Sequence, residues 1–139
     1  MSLNVQLLRD SFTAFTPNAD VLSHSFYRIL FERYPALEPL FINVDIEDQQ
    51  KKLFRSLSVI VRNLEDPGYL RSYLCGLGMM HVAYGARESH YEAVGECLLA
   101  ALAQVAGPLW NDELHSAWAD AYDVIAGLMK AGAAEGVAN

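Results

Sequence analysis

The stretch LRSYLCGLGMMHVAYG, residues 70–85, decides how this chain is read. Leu70, Leu74, Leu77 and His81 recur at three- and four-residue spacing, so they share one face of a helix, and Tyr84-Gly85 marks its end. His81 stands at i+4 from Leu77 and i+7 from Leu74, and so points into the core from a helix that otherwise presents hydrocarbon. A lone histidine on an apolar face is usually a hydrogen-bonded core residue. A neutral imidazole there needs a partner. One ring nitrogen can donate to the Leu77 carbonyl one turn back, and the other is then the nitrogen a metal would take.

Outward from this segment, apolar residues keep the helical period along nearly the whole chain. No stretch shows sustained period-two alternation between hairpin turns, so the fold is all-α. Val5, Leu8, Phe12 and Phe15 form a first stripe, and Thr16-Pro17 supplies a cap and first residue for a second helix running to about Tyr34 on Leu22, Phe26, Ile29 and Leu30. Pro35 and Pro39 permit only short helical pieces, which places a corner at 35–44. Asp45, Glu47 and Asp48 put acid at the start of the next helix, whose buried face is Leu53, Leu57, Ile60, Val61 and Leu64 and which ends before Asp66-Pro67-Gly68. The His81 helix, expected to be shorter, follows. A fifth stripe, Tyr91, Val94, Leu98, Leu102 and Val105, stops at Gly107-Pro108. A last one opens at Asn111-Asp112-Glu113 and buries Leu114, Trp118, Ala121, Tyr122, Ile125 and Met129. The small, polar tail AGAAEGVAN is expected to fray. One domain over residues 1–139, ordered from about residue 4 to about residue 130 and without internal repeats, is the expectation.

Composition narrows the function classes. The chain is 53% hydrophobic, yet it lacks the roughly 18 to 20 uninterrupted apolar residues of a membrane span. Its opening, MSLNVQLLRDSF, has no basic stretch followed by an apolar run, so a cytoplasmic location is expected. Seventeen acidic residues against 10 basic ones give a formal charge of -7, which argues against nucleic acid or an anionic membrane as a partner. Cys75 and Cys97 sit in apolar periodic stretches and read as buried, reduced thiols, and no paired Cys/His spacing suggests zinc. His24, His90 and His115 occupy polar or helix-start positions and are poor ligand candidates. Met79 and Met80 read as fillers of irregular gaps.

FYRILFERYPALEPLF, a Gln-x-x-x-Leu helix start, LGMMHVAYG, SHYEAVGECLLAAL and AWADAYDVIAGLM, in that order and spacing, resemble the single-domain bacterial globins. The likeness spans about residues 4 to 130 and extends to the globin part of flavohaemoglobins and, more loosely, to neuroglobin-like proteins. It implies a globin fold of about seven to eight helices sandwiching a haem b, with helices crossing at roughly 50°. By resemblance His81 is the proximal iron ligand and Phe41 the corner aromatic against the haem, while Leu53, Leu57, Leu77, Tyr91 and Val94 line the cofactor. Tyr27, Gln49 and Leu53 fall where the distal, gas-binding group belongs. Without the resemblance Tyr27 reads as an ordinary core tyrosine with its hydroxyl at the surface. The run QQKK at 49–52 can be a solvated face, and a slip of one residue makes Gln50 the pocket residue. Gln49 is preferred because Leu53 then follows at i+4 within the apolar stripe.

What the resemblance implies is reversible, high-affinity binding of O2, with NO and CO as further ligands. O2 on ferrous haem acquires partial negative charge, and donors such as Tyr27 and Gln49 stabilise it. A nitric oxide dioxygenase would need an external reductase, since no glycine-rich dinucleotide motif is found, and a gas sensor would need an output surface. Tyr91 matches the proximal tyrosine of flavohaemoglobins, but the glutamate expected about one turn past Met129 is replaced by Ala133, so their proximal network is incomplete here. A haem-free globin-fold interaction module is the rival of another class. It would have no reason to bury His81, Tyr27 and Gln49 together.

Overall fold

The computed structural model describes residues 3–83 and 85–138, with the side chains of 83 and 135–138 left aside. Tyr84, which the sequence places with Gly85 at the end of a helix, lies outside the described residues. Six α-helices follow one another: α1 (Val5–Phe15), α2 (Ala19–Arg33), α3 (Ile46–Arg62), α4 (Pro67–Ala83), α5 (His90–Ala106) and α6 (Asp112–Ala138), with 3₁₀ turns at Thr16–Asn18, Pro35–Phe41 and Gly107–Leu109.

Local chemistry sets most of the boundaries. The Asn4 side chain accepts the Leu7 N–H, and Asp45 accepts from Glu47 and Asp48, so two helix starts satisfy otherwise unpaired donors. Asp66 does the same for Tyr69 ahead of α4, with Pro67 at its first position, and Asn111 accepts from Leu114. Gly107 and Gly85 end helices with φ of 55° and 89°, a region that side chains avoid. Thr16 does not cap α2, as the sequence suggested. Its hydroxyl donates back to the Phe12 carbonyl, and α2 begins three residues later, after the 3₁₀ turn.

α2 lies against α5 and α3, α1 against α6 and α3, and α4 against α6. The main core gathers Leu8, Phe12, Leu22, Phe26, Leu30, Leu57, Cys97, Leu102 and Trp118 from α1, α2, α3, α5 and α6. Each fully buried leucine contributes roughly 1.5–3 kcal/mol. Trp118 donates to Ser11, whose hydroxyl donates to the Leu7 carbonyl, so the buried polar atoms are satisfied. A second, smaller cluster joins Ile60 of α3 to Leu70 and Leu74 of α4, with Leu77, Ile125, Leu128 and Met129 around it.

Three expectations are corrected. α4 has 17 residues, as many as α3, and is not a shorter helix. α6 continues as helix to Ala138, past the expected limit of about residue 130, and Gly132 within that stretch is packed against the Cys75 backbone. Met79 and Met80 are 43% and 50% exposed, so they fill no core gap. The segment His90–Leu109 has the length and mean hydropathy of a membrane span, but it is the central helix of the fold, packed on α2 and α6. Cys97 is fully buried and Cys75 half-buried, both as free thiols.

Candidate functional site

α3 and α4 are joined where Tyr73 donates to Ser56 at 3.3 Å and Ile60 meets Leu70 and Leu74. Gln49 lies seven residues before Ser56 and His81 eight residues after Tyr73. At about 1.5 Å per residue each stands roughly 10 to 12 Å along its own helix from this joint. The Pro35–Phe41 corner meets the chain just after α4, where a Cβ on Gly85 would come 3.3 Å from Leu40.

On α4, Nδ1 of His81 lies 2.7 Å from the Leu77 carbonyl oxygen. A carbonyl can only accept, so Nδ1 carries the proton and Nε2 the lone pair, the tautomer a metal-binding imidazole requires. Tyr91, at the start of α5, is buried, and the Tyr122 hydroxyl donates to its backbone carbonyl at 2.6 Å. Desolvation on burial raises both phenols above the usual tyrosine range.

On α2, Tyr27 is 5% exposed. Its ring packs edge-on to Phe26 at 4.8 Å and Phe41 at 5.7 Å, and tilted to Phe31 at 6.0 Å. Burial pushes its pKa up to about 12, while a hydrogen bond with Gln49 acts in the other direction. The Gln49 side chain is therefore the one that meets Tyr27, and not that of Gln50.

The proposed lining residues divide between the two apolar clusters. Phe41, Leu53, Leu57 and Val94 belong with the main core, and Leu77 belongs with the smaller one. An imidazole whose Nδ1 is already engaged, a phenol and an amide, with apolar side chains from both clusters, are the donor set and the lining that fit a haem. His24 and His115 are exposed, and His90 accepts the Arg87 N–H through Nδ1, so none of them joins this constellation.

Sequence reasoning missed three contributors. Phe31 completes the aromatic cluster, 5.4 Å from Phe41, and its place at i+4 from Tyr27 was the available signal. Tyr122 was read only as core, whereas it anchors Tyr91. Lys130, which continues the Tyr122 and Ala126 stripe of α6, places Nζ 5.6 Å from the centre of the Tyr91 ring.

Residues 24–129 match the globin family, and the chain belongs to that family. The family is one of haem proteins that bind diatomic gases. The chain is 35% identical over 114 residues to a flavohaemoprotein of Rhizobium meliloti, a match covering 78% of this chain but only 28% of that longer protein. An engineered carbene transferase from Rhodothermus marinus superposes with a TM-score of 0.87 at 34% identity, covering 96% of this chain and 93% of that one. A bacterial globin from Campylobacter jejuni superposes with a TM-score of 0.84 at 28% identity over 97% of each chain.

Proposed function

We propose that the protein binds haem b through Nε2 of His81 and takes up O2, with NO and CO as further ligands, on the wall formed by Tyr27, Gln49 and Leu53. When bound, the haem supplies the iron on which the gas is held. The observation that carries this reading is the buried Tyr27 hydroxyl beside Gln49. With its pKa pushed up to about 12, Tyr27 remains a proton donor across the physiological range. Gln49, hydrogen-bonded to it, orients the phenol. Hydrogen bonds to a charged acceptor are worth roughly 1.5–3 kcal/mol each. Tyr27 with Gln49 would therefore slow O2 release by about two orders of magnitude. That suits tight binding and scavenging of O2 in the cytoplasm better than rapid delivery, and the charge of -7 fits neither a nucleic acid nor an anionic membrane as partner.

The test is stopped-flow O2 and CO release from the haem-loaded protein. Slow O2 release that accelerates in Tyr27→Phe supports the reading, and O2 release indifferent to Tyr27 overturns it. A second reading, nitric oxide dioxygenation, is favoured by the identity to a flavohaemoprotein and by the Rhodothermus marinus relative, described as a candidate nitric oxide dioxygenase. It requires a reductase to return the haem to its ferrous state after each turnover. Aerobic nitric oxide consumption with and without added reductase separates the two.

A further inference from the structure

We infer that Lys130 tunes the haem from the His81 side by holding a positive charge over Tyr91 that favours the ferrous state. The inference rests on the haem reading above.

α6 meets the His81 helix at two tight points, Gly132 against the Cys75 backbone and, nearer to His81, Gly78, which leaves no room for a side chain against the Met129 backbone. Lys130 is the next residue, and Gly78 lies three residues before His81. Lys130 is therefore fixed by the same crossing that positions the ligand helix. Its side chain turns toward α5, where Nζ lies 5.6 Å from the Tyr91 ring centre, within cation–π range. The Tyr122 hydroxyl pins the Tyr91 backbone at 2.6 Å, and Gly95, whose Cβ would overlap the Tyr122 ring, lets that ring sit beneath. The ammonium is thus held by an immobilised aromatic face. No salt bridge to Lys130 is found among the described residues. Glu92, Glu96 and Asp123 line the same groove and are exposed to water, which weakens their field more than that of the half-buried Lys130.

Reduction of ferric to ferrous haem removes one unit of positive charge at the iron, so a nearby cation stabilises the product over the reactant. The experiment is a spectroelectrochemical titration of the haem-loaded protein, with dithionite as reductant through soluble mediators, at low and high salt. Variants are Lys130→Met, Lys130→Glu and Lys130→Arg. Lys130→Met keeps the apolar stem and should lower the midpoint potential. Lys130→Glu changes the charge by two units instead of one and should lower it about twice as far. Lys130→Arg should hold it near the wild-type value, and high salt should narrow the spread. An unmoved potential in Lys130→Met, or equal falls in Met, Glu and Arg, overturns the inference, the second outcome indicating packing alone. Haem stoichiometry in the same samples keeps the two readings apart. Wild-type protein that takes up no haem defeats the haem reading and this inference with it, whereas full haem with an unmoved potential defeats this one alone.

Discussion

A Cβ placed on Gly78 would overlap the Met129 carbonyl, so α4 and α6 touch backbone to backbone one turn before His81. Gly132 repeats the arrangement against Cys75, whose Sγ donates to the Leu128 carbonyl at 3.4 Å. An alanine at Gly78 would gain about 1 kcal/mol of helix propensity. It would also have to push two helices apart, and overpacking of this kind costs about 1–3 kcal/mol. Gly76, on the same helix, has nothing within 4 Å of a built Cβ. Gly78→Ala should therefore lower the melting temperature and weaken haem retention, while Gly76→Ala should be neutral or stabilising. Shifts of the same sign and size in thermal unfolding would remove the basis for the crossing.

The helical stripes were legible because burial imposes a 3.6-residue period on Leu8, Leu22, Leu57, Leu74 and Leu102 alike. Gly132 was misread because the same residue type serves both flexible tails and close helix contacts, and only the neighbour, Cys75, distinguishes them. Met79 and Met80 were misplaced for a related reason. They precede His81 on α4, and hydropathy alone cannot separate a core methionine from an exposed one. The Nδ1 contact of His81 could be anticipated because i to i−4 is a fixed relation within a helix. The contact between Tyr27 and Gln49 could not be derived from periodicity, since it joins α2 to α3 through the corner at Pro35–Phe41.

His81→Ala should lose haem during purification, or retain it only when imidazole is supplied, because no other histidine joins the constellation around Leu77. The check is the ratio of haem to protein with and without imidazole. An unchanged haem content and spectrum would mean that the iron is held elsewhere.

Alkaline stability offers a test that needs no ligand. The pKa of Tyr27 is pushed up from 10 to about 12 by burial, so between these values the folded state binds more protons than the unfolded one. The stabilising contribution is then complete below pH 10 and is lost as pH rises through 12. Two units correspond to at most about 2.7 kcal/mol. Apoprotein unfolded in urea at successive pH values should lose stability steeply above pH 10, and Tyr27→Phe should flatten that limb. An equal loss in both proteins would place the Tyr27 hydroxyl in contact with water.

The sharpest test separates the two donors on the gas-binding wall. Tyr27 is held by Phe26, Phe31 and Phe41 and has little rotamer freedom left to lose, whereas Gln49 sits in the first turn of α3, half-buried, on a longer and more mobile side chain. The hydrogen bond between them ties the mobile amide to the anchored phenol. Tyr27→Phe should therefore raise the O2 dissociation rate by about ten- to a hundredfold, the equivalent of one bond of about 1.4 to 2.7 kcal/mol. Gln49→Leu should raise it less, because Tyr27 can still donate although it is less well oriented. The double variant should exceed either single one without reaching their product, since the two donors share one ligand. Carbon monoxide carries little negative charge, and its release should change far less in every variant. Should Gln49→Leu outweigh Tyr27→Phe in flash photolysis and stopped-flow mixing, the amide and not the phenol is the principal donor, and tight O2 binding would rest on the more mobile of the two residues.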